Sequence, residues 1–194
     1  MKTTKCAAAV AVCVIGITTT GTGVAASASP IAGSDLDAIN AASSPRTSRY
    51  IEASSPEEAD QKLASLERGG AMAQAANVQY GPCTLYPTPT YLRTSSDRKN
   101  VGAKPRTVCS VPVTSINHAS DLRYKSFIWW RKAGPTHTGG NRGVAKYEQK
   151  NVEYRCVSSE QTGWTGTTAG TIVYAGKTYY ARVYFDERSL ACGG

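Results

Sequence analysis

The segment KTYYARVYF, residues 177–185, decides the fold class, because its apolar and polar side chains alternate with a period of two. Tyr179, Ala181, Val183 and Phe185 fall on one face, and Thr178, Tyr180, Arg182 and Tyr184 on the other, as in a half-buried β-strand. TIVYAGK (171–177) supplies a second strand and a tight turn at Ala175-Gly176-Lys177, so residues 170–185 are expected to form a hairpin.

The same period extends outward. NVEYRCV (151–157) turns Val152, Tyr154 and Cys156 inward and Asn151, Glu153 and Arg155 outward, with VAKYEQ (144–149) as its expected partner. RTVCSVPVTSI (106–116) puts Cys109, Val111 and Val113 on one face, and Pro112 points to an edge or a bulge because proline cannot donate to a central ladder. TPTYLRT (88–94) reads as a first strand. DLRYKSFIWWRKAG (121–134) reads as one strand, with Trp130 in the core-facing row and Trp129 among Lys125, Phe127 and Arg131. SSDRKNVG (95–102), PTHTGGNRG (135–143) and SSEQTGWTG (158–166) are turn signals, and no helix-length amphipathic segment intervenes. The expectation is an all-β fold: a small, disulfide-stabilised antiparallel β-sandwich, Ig-like in size, with a small barrel as the alternative.

The chain ahead of this region is different in kind. MKTTK precedes the uncharged apolar run AAAVAVCVIGI (7–17), too short for an ordinary transmembrane helix, and Ala26-Ser27-Ala28 offers small residues for a cleavage site. Residues 1–28 are therefore expected to be a signal peptide cleaved near Ala28, making the protein secreted. No later window is long and apolar enough for a transmembrane segment. Residues 29–77 form an acidic, partly helical leader or linker, with four Lys and Arg against seven Asp and Glu. Within it, SSPEEADQKLASLERGG offers Ser55 as N-cap, Pro56 at the first helical position, Glu58 to close a capping box and Gly69 beyond the last turn. A weaker helix is expected from Ser34. GGAMAQAAN (69–77) reads as a linker.

Residues 78–194 are the basic domain, with 16 Lys and Arg against 7 Asp and Glu. That balance favours an anionic partner, such as an extracellular or cell-wall polymer. Once Cys6 and Cys13 leave with the signal, Cys83, Cys109, Cys156 and Cys192 remain. Four cysteines without a C-x-x-C pair or nearby histidines read as two disulfides rather than a metal site. Three connectivities are open; the sequential pairing Cys83–Cys109 and Cys156–Cys192 is preferred because each pair flanks one block of strands.

Catalytic signatures are missing. His118, in the turn-like INHASD, and His137, in the glycine-rich PTHTGG, read as surface-loop histidines with no nucleophile elbow or metal-spaced second ligand nearby. One enzymatic alternative is a secreted basic hydrolase or toxin, ribonuclease-like, using Glu153, His137, Arg155 and Arg182 and kept quiet by the acidic segment. Binding is easier to support: Trp129, Lys125 and Arg131 on one strand, and Tyr180, Arg182 and Tyr184 on another, interleave aromatic rings with cations. No cofactor is expected. VGAKPRTVC (101–109), RYKSFIWW (123–130) and GKTYYARVY (176–184) resemble small secreted actinobacterial proteins that carry two disulfides and no assigned activity. The resemblance implies secretion and a β fold, and carries over no site.

Overall fold

A computed structural model describes residues 47–67 and 78–191. The signal peptide with its cleavage site at Ala28, the helix from Ser34, the linker 69–77 and Cys192 lie outside the described residues. Eleven strands and one α-helix are present among those described: β1 (Ser48–Glu52), α1 (Pro56–Glu67), β2 (Tyr80–Tyr86), β3 (Tyr91–Leu92), β4 (Asn100–Ala103), β5 (Arg106–Ser126), β6 (Trp129–Lys132), β7 (His137–Glu148), β8 (Val152–Arg155), β9 (Gln161–Tyr174), β10 (Lys177–Tyr184) and β11 (Arg188–Ala191).

The fold is all-β, and every strand pairing is antiparallel. Eight strands make one sheet in the order β11-β9-β10-β1-β2-β5-β6, with β7 also on β5, and a further β9–β5 pairing closes it into a barrel-like ring. β3, β4 and β8 form a small second sheet. The 21-residue β5 makes closure possible. Its start pairs with β2, from Cys83↔Cys109 to Tyr86↔Arg106, and its second half pairs with β9, from Ser115↔Val173 to Tyr124↔Trp164. Between the two halves the ladder to β7 shifts register from Val108 to Val113, the irregularity that Pro112 calls for.

β9 and β10 form the expected hairpin. Lys177 pairs with Tyr174, and Ala175 and Gly176 occupy the turn with φ of 49° and 75°, as a two-residue hairpin turn matched to strand twist requires. Tyr179, Ala181 and Val183 pack into the barrel core with Tyr50, Leu85, Ile116 and Ile172. A second cluster joins the small sheet to the barrel through Val101, Val152, Leu122, Trp164 and Phe185.

Several sequence expectations are corrected. β1 comes from the acidic segment, yet it lies between β10 and β2 and supplies a stave of the barrel, with Tyr50 and Ile51 fully buried. β7 pairs with β5 rather than β8, and β8 pairs with β4. The glycine-rich 135–143 and 161–166 segments run largely in β7 and β9 because their glycines let backbones and side chains approach: a Cβ at Gly166 would overlap Asp121 O and the Phe185 ring. His118 is buried in β5, not in a surface loop.

The Cys83–Cys109 disulfide is present, and it joins residues directly opposite each other on β2 and β5. Cys156 is also disulfide-bonded.

Candidate functional site

The aromatic and cationic strip expected on the outer face of β10 is covered. α1 begins as the sequence predicts, with Glu58 N–H donating to Ser55 Oγ at 3.2 Å, while the Glu58 carboxylate reaches back to Ser54 N–H at 2.8 Å. Hydrogen bonds from Lys62 and Ser54 hold the Glu58 carboxyl down at about 2. The helix lays Ala59 beside Ala53 and Tyr180, leaving Tyr180 only 8% exposed.

Arg182 is ion-paired to Asp60 and, at 3.0 Å, to Glu67. Burial opposes the guanidinium's charge; the Glu67 hydrogen bonds, with Tyr184, Glu67 and Asp60 nearby, outweigh it and hold the pKa above its ordinary value. Lys177 reaches Glu52 at 2.9 Å, and that hydrogen bond raises its pKa. Tyr184 is half-buried, with the Arg182 guanidinium 5.7 Å from its ring centroid. Tyr180 and Arg182 therefore build the helix seat.

The four residues of the hydrolase alternative are not brought together. Glu153 lies on β8 beside Arg93 at 3.0 Å, and Arg182 lies beneath α1 on β10. His137 opens β7 opposite Ser120, with its carbonyl accepting from Gln149 Nε2 at 2.9 Å, and Arg155 ends β8 in solvent. His118 Nε2 lies 2.7 Å from Thr107 Oγ1, which also bonds the Tyr50 hydroxyl at 2.7 Å, inside the barrel. Burial alone pushes the imidazole down to about 3. Among the described residues, no group of three or more His, Cys, Asp or Glu could hold a metal.

The exposed aromatic site is the end of the β5–β6 hairpin. DLRYKSFIWWRKAG is two strands rather than one: Ser126 pairs with Trp129, leaving Phe127 and Ile128 as a two-residue turn. The turn reverses the expected faces. Trp130 is opposite Lys125, whose ammonium sits 5.7 Å from its ring centroid, while Trp129 shares a face with Tyr124 and Arg131.

Phe127 takes φ 56° and is 96% exposed; Ile128 and Trp129 are 75% and 64% exposed. A bulky residue in the left-handed region is strained, and no packing offsets that strain here. The ladder to β9 ends at Tyr124↔Trp164, so the last residues of β5 and the first of β6 pair only with each other.

At the base of the hairpin lies an open pocket of about 340 Å³, between Phe127, Tyr124 and Lys125 on one side and Tyr154, Cys156 and Val157 on the other. Trp164 also lines it, its ring centroid 5.8 Å from Tyr124 and 5.9 Å from Tyr154, with its indole N–H buried and without a hydrogen-bond partner. Cys156 N–H donates to Lys99 O at 2.9 Å and Asn100 pairs with Arg155, so Arg98, Lys99 and Arg155 lie on the segments next to the pocket-lining Tyr154 and Cys156. Arg98, Lys99, Arg131 and Arg155 are all exposed. Lys125 is partly held by Glu187 at 3.7 Å, and Lys132 by Asp121 at 2.9 Å.

Trp129, Lys125 and Arg131, named from the sequence, lie on this hairpin, whereas the alternation gave no sign that Tyr124, Tyr154 and Trp164 gather here from three strands. The signal available was Trp164 in a segment read as a turn. The chain matches no protein-family model, no curated protein and no solved structure.

Proposed function

We propose that the protein is a secreted, non-catalytic binding domain for an anionic partner outside the cell, and that it engages this partner with the β5–β6 hairpin end and the rim of the pocket below it. One observation carries the reading: three consecutive large apolar side chains, Phe127, Ile128 and Trp129, are exposed at a turn whose first residue has positive φ. Stability alone gives no reason to place them there.

The cations Arg98, Lys99, Arg131 and Arg155 border the same end, with Asp97 and Glu160 as neighbouring acids. β7 also exposes Arg142, but away from any comparable apolar group. Tyr80, 36% exposed with the Arg49 guanidinium 4.0 Å from its ring centroid, is a second aromatic beside a cation, but only the hairpin end sets several cations beside three consecutive exposed apolar side chains among the described residues. No observation favours the hydrolase alternative, because Glu153 and Arg182 are each engaged in structural ion pairs on different sheets.

Retention on immobilised polyphosphate at low and high salt tests the proposal. Binding is expected to fall steeply with salt and to weaken several-fold in Arg131→Ala/Arg155→Ala, with the melting temperature unchanged. Undiminished retention by that double variant would place the anion site elsewhere.

A further inference from the structure

The apolar character of the hairpin end identifies the class of anionic partner, an inference that rests on the binding role proposed above. Isolated exposed apolar residues are ordinary, but three in succession at the tip of an edge hairpin invite aggregation unless something covers them. Within the described chain nothing does: α1 sits on β10, and Phe127, Ile128 and Trp129 remain in solvent. Val157, 89% exposed, faces the same pocket as Phe127 and extends the apolar surface across it.

The tip lies beyond the last pairing to β9, Tyr124↔Trp164, so its apolar side chains stand clear of the main sheet. A soluble polyanion could use the rim cations but would give the tip no apolar partner. The boundary of a lipid bilayer supplies both phases at once, acyl chains for the apolar side chains and phosphates for the cations. Tryptophan favours that boundary, and long cationic side chains can reach the headgroups while their stems lie on apolar surface.

Shallow insertion is also compatible with the backbone. The Ser126↔Trp129 pairing closes the hairpin, leaving few peptide groups to lose water when the tip enters. We propose that Phe127, Ile128 and Trp129 insert into the interface of a bilayer bearing anionic headgroups, while Arg98, Lys99, Arg131 and Arg155 engage the headgroup phosphates.

The test uses the chain lacking residues 1–28, with vesicles of phosphatidylcholine alone or mixed with phosphatidylglycerol, and polyphosphate as a soluble polyanion. Co-sedimentation with the anionic vesicles at low salt is expected, with little on the neutral ones. Phe127→Ser/Trp129→Ser is expected to bind the anionic vesicles at least about tenfold more weakly, while keeping its melting temperature and its affinity for polyphosphate. Trp129→Phe should retain vesicle binding and lose the blue shift of emission that the parent shows on binding.

In the parent protein, quenching by lipids brominated on their acyl chains reports insertion without any substitution. No quenching, or vesicle binding unchanged in the double variant, would overturn the membrane inference; retained polyphosphate binding would then leave the anionic-partner reading standing. Equal binding to neutral vesicles would overturn the headgroup assignment. Failure of the parent to bind either vesicles or polyphosphate would remove both proposals.

Discussion

His118 shows how a single residue changes meaning once its neighbours are known. In sequence it lies in a polar, turn-like stretch; in the structure it is 1% exposed, bonded to Thr107 and edge-on to Tyr147 at 4.9 Å between ring centroids. Burial holds its pKa near 3, below the ordinary 6.5, so the unfolded chain takes up this proton first. Stability is therefore complete above about pH 6.5 and lost as pH falls toward 3, at up to about 1.4 kcal/mol per pH unit from this group. Denaturant unfolding at about pH 7 and about pH 4 should show a smaller loss for His118→Gln than for the parent; equal losses would mean the ring is hydrated. Trp129 behaves oppositely. Because it is exposed, Trp129→Ala should change stability by no more than about 0.5 kcal/mol while weakening binding to anionic vesicles. The exposure of Phe127 and Trp129 could not be read from alternation, since the two-residue turn that reverses the faces lacks the Gly or Asn that normally marks one. Glycine misled in the other direction: Gly166, in a segment that reads as a turn, is a strand residue whose missing Cβ makes room for the Phe185 ring.

Among the elements, β1 and α1 carry the main surprise. The composition of residues 29–77 cannot support a domain alone, and that reading is compatible with what is seen, because β1 and α1 gain their stability from the barrel. The helix was legible from its cap, but the five-residue strand before it was not; SRYIE offers too few alternations to show a period. Ile51→Ala is expected to cost about 2–5 kcal/mol by chemical denaturation, as for a core stave; a cost below about 1 kcal/mol would mean that β1 is dispensable. Arg182→Ala should cost about 2 kcal/mol or more, because it strands Asp60 and Glu67 at the helix seat. Loss of helical circular dichroism in that variant would locate the cost at α1. Removing the Cys83–Cys109 bond, which closes 26 residues of separation, should cost about 3–4 kcal/mol in Cys83→Ser/Cys109→Ser.

At the scale of the whole molecule, the charge asymmetry of the sequence acquires a physical form. The acids Glu52, Asp60 and Glu67 pair with Lys177 and Arg182 on one side of the barrel, whereas Arg98, Lys99, Arg131 and Arg155 are exposed at another end. Among the described residues, the acidic segment covers basic surface at the β10 face. The all-β class, the 170–185 hairpin and the Cys83–Cys109 disulfide were legible because each rests on local alternation or on few cysteines. Barrel closure was not, because it depends on β5 changing partners along its length and on β1 entering from a distant segment. The same non-locality hid the pocket, whose aromatic walls come from β5, β8 and β9. Mapping amide chemical shifts during titration with polyphosphate distinguishes binding at this end from binding at the β10 face: changes centred on Arg98, Lys99, Arg131 and Arg155 are expected, with β10 and α1 silent. Changes centred on Tyr180, Arg182 and Tyr184, or on Arg142 and Lys146 of β7, would contradict binding at this end.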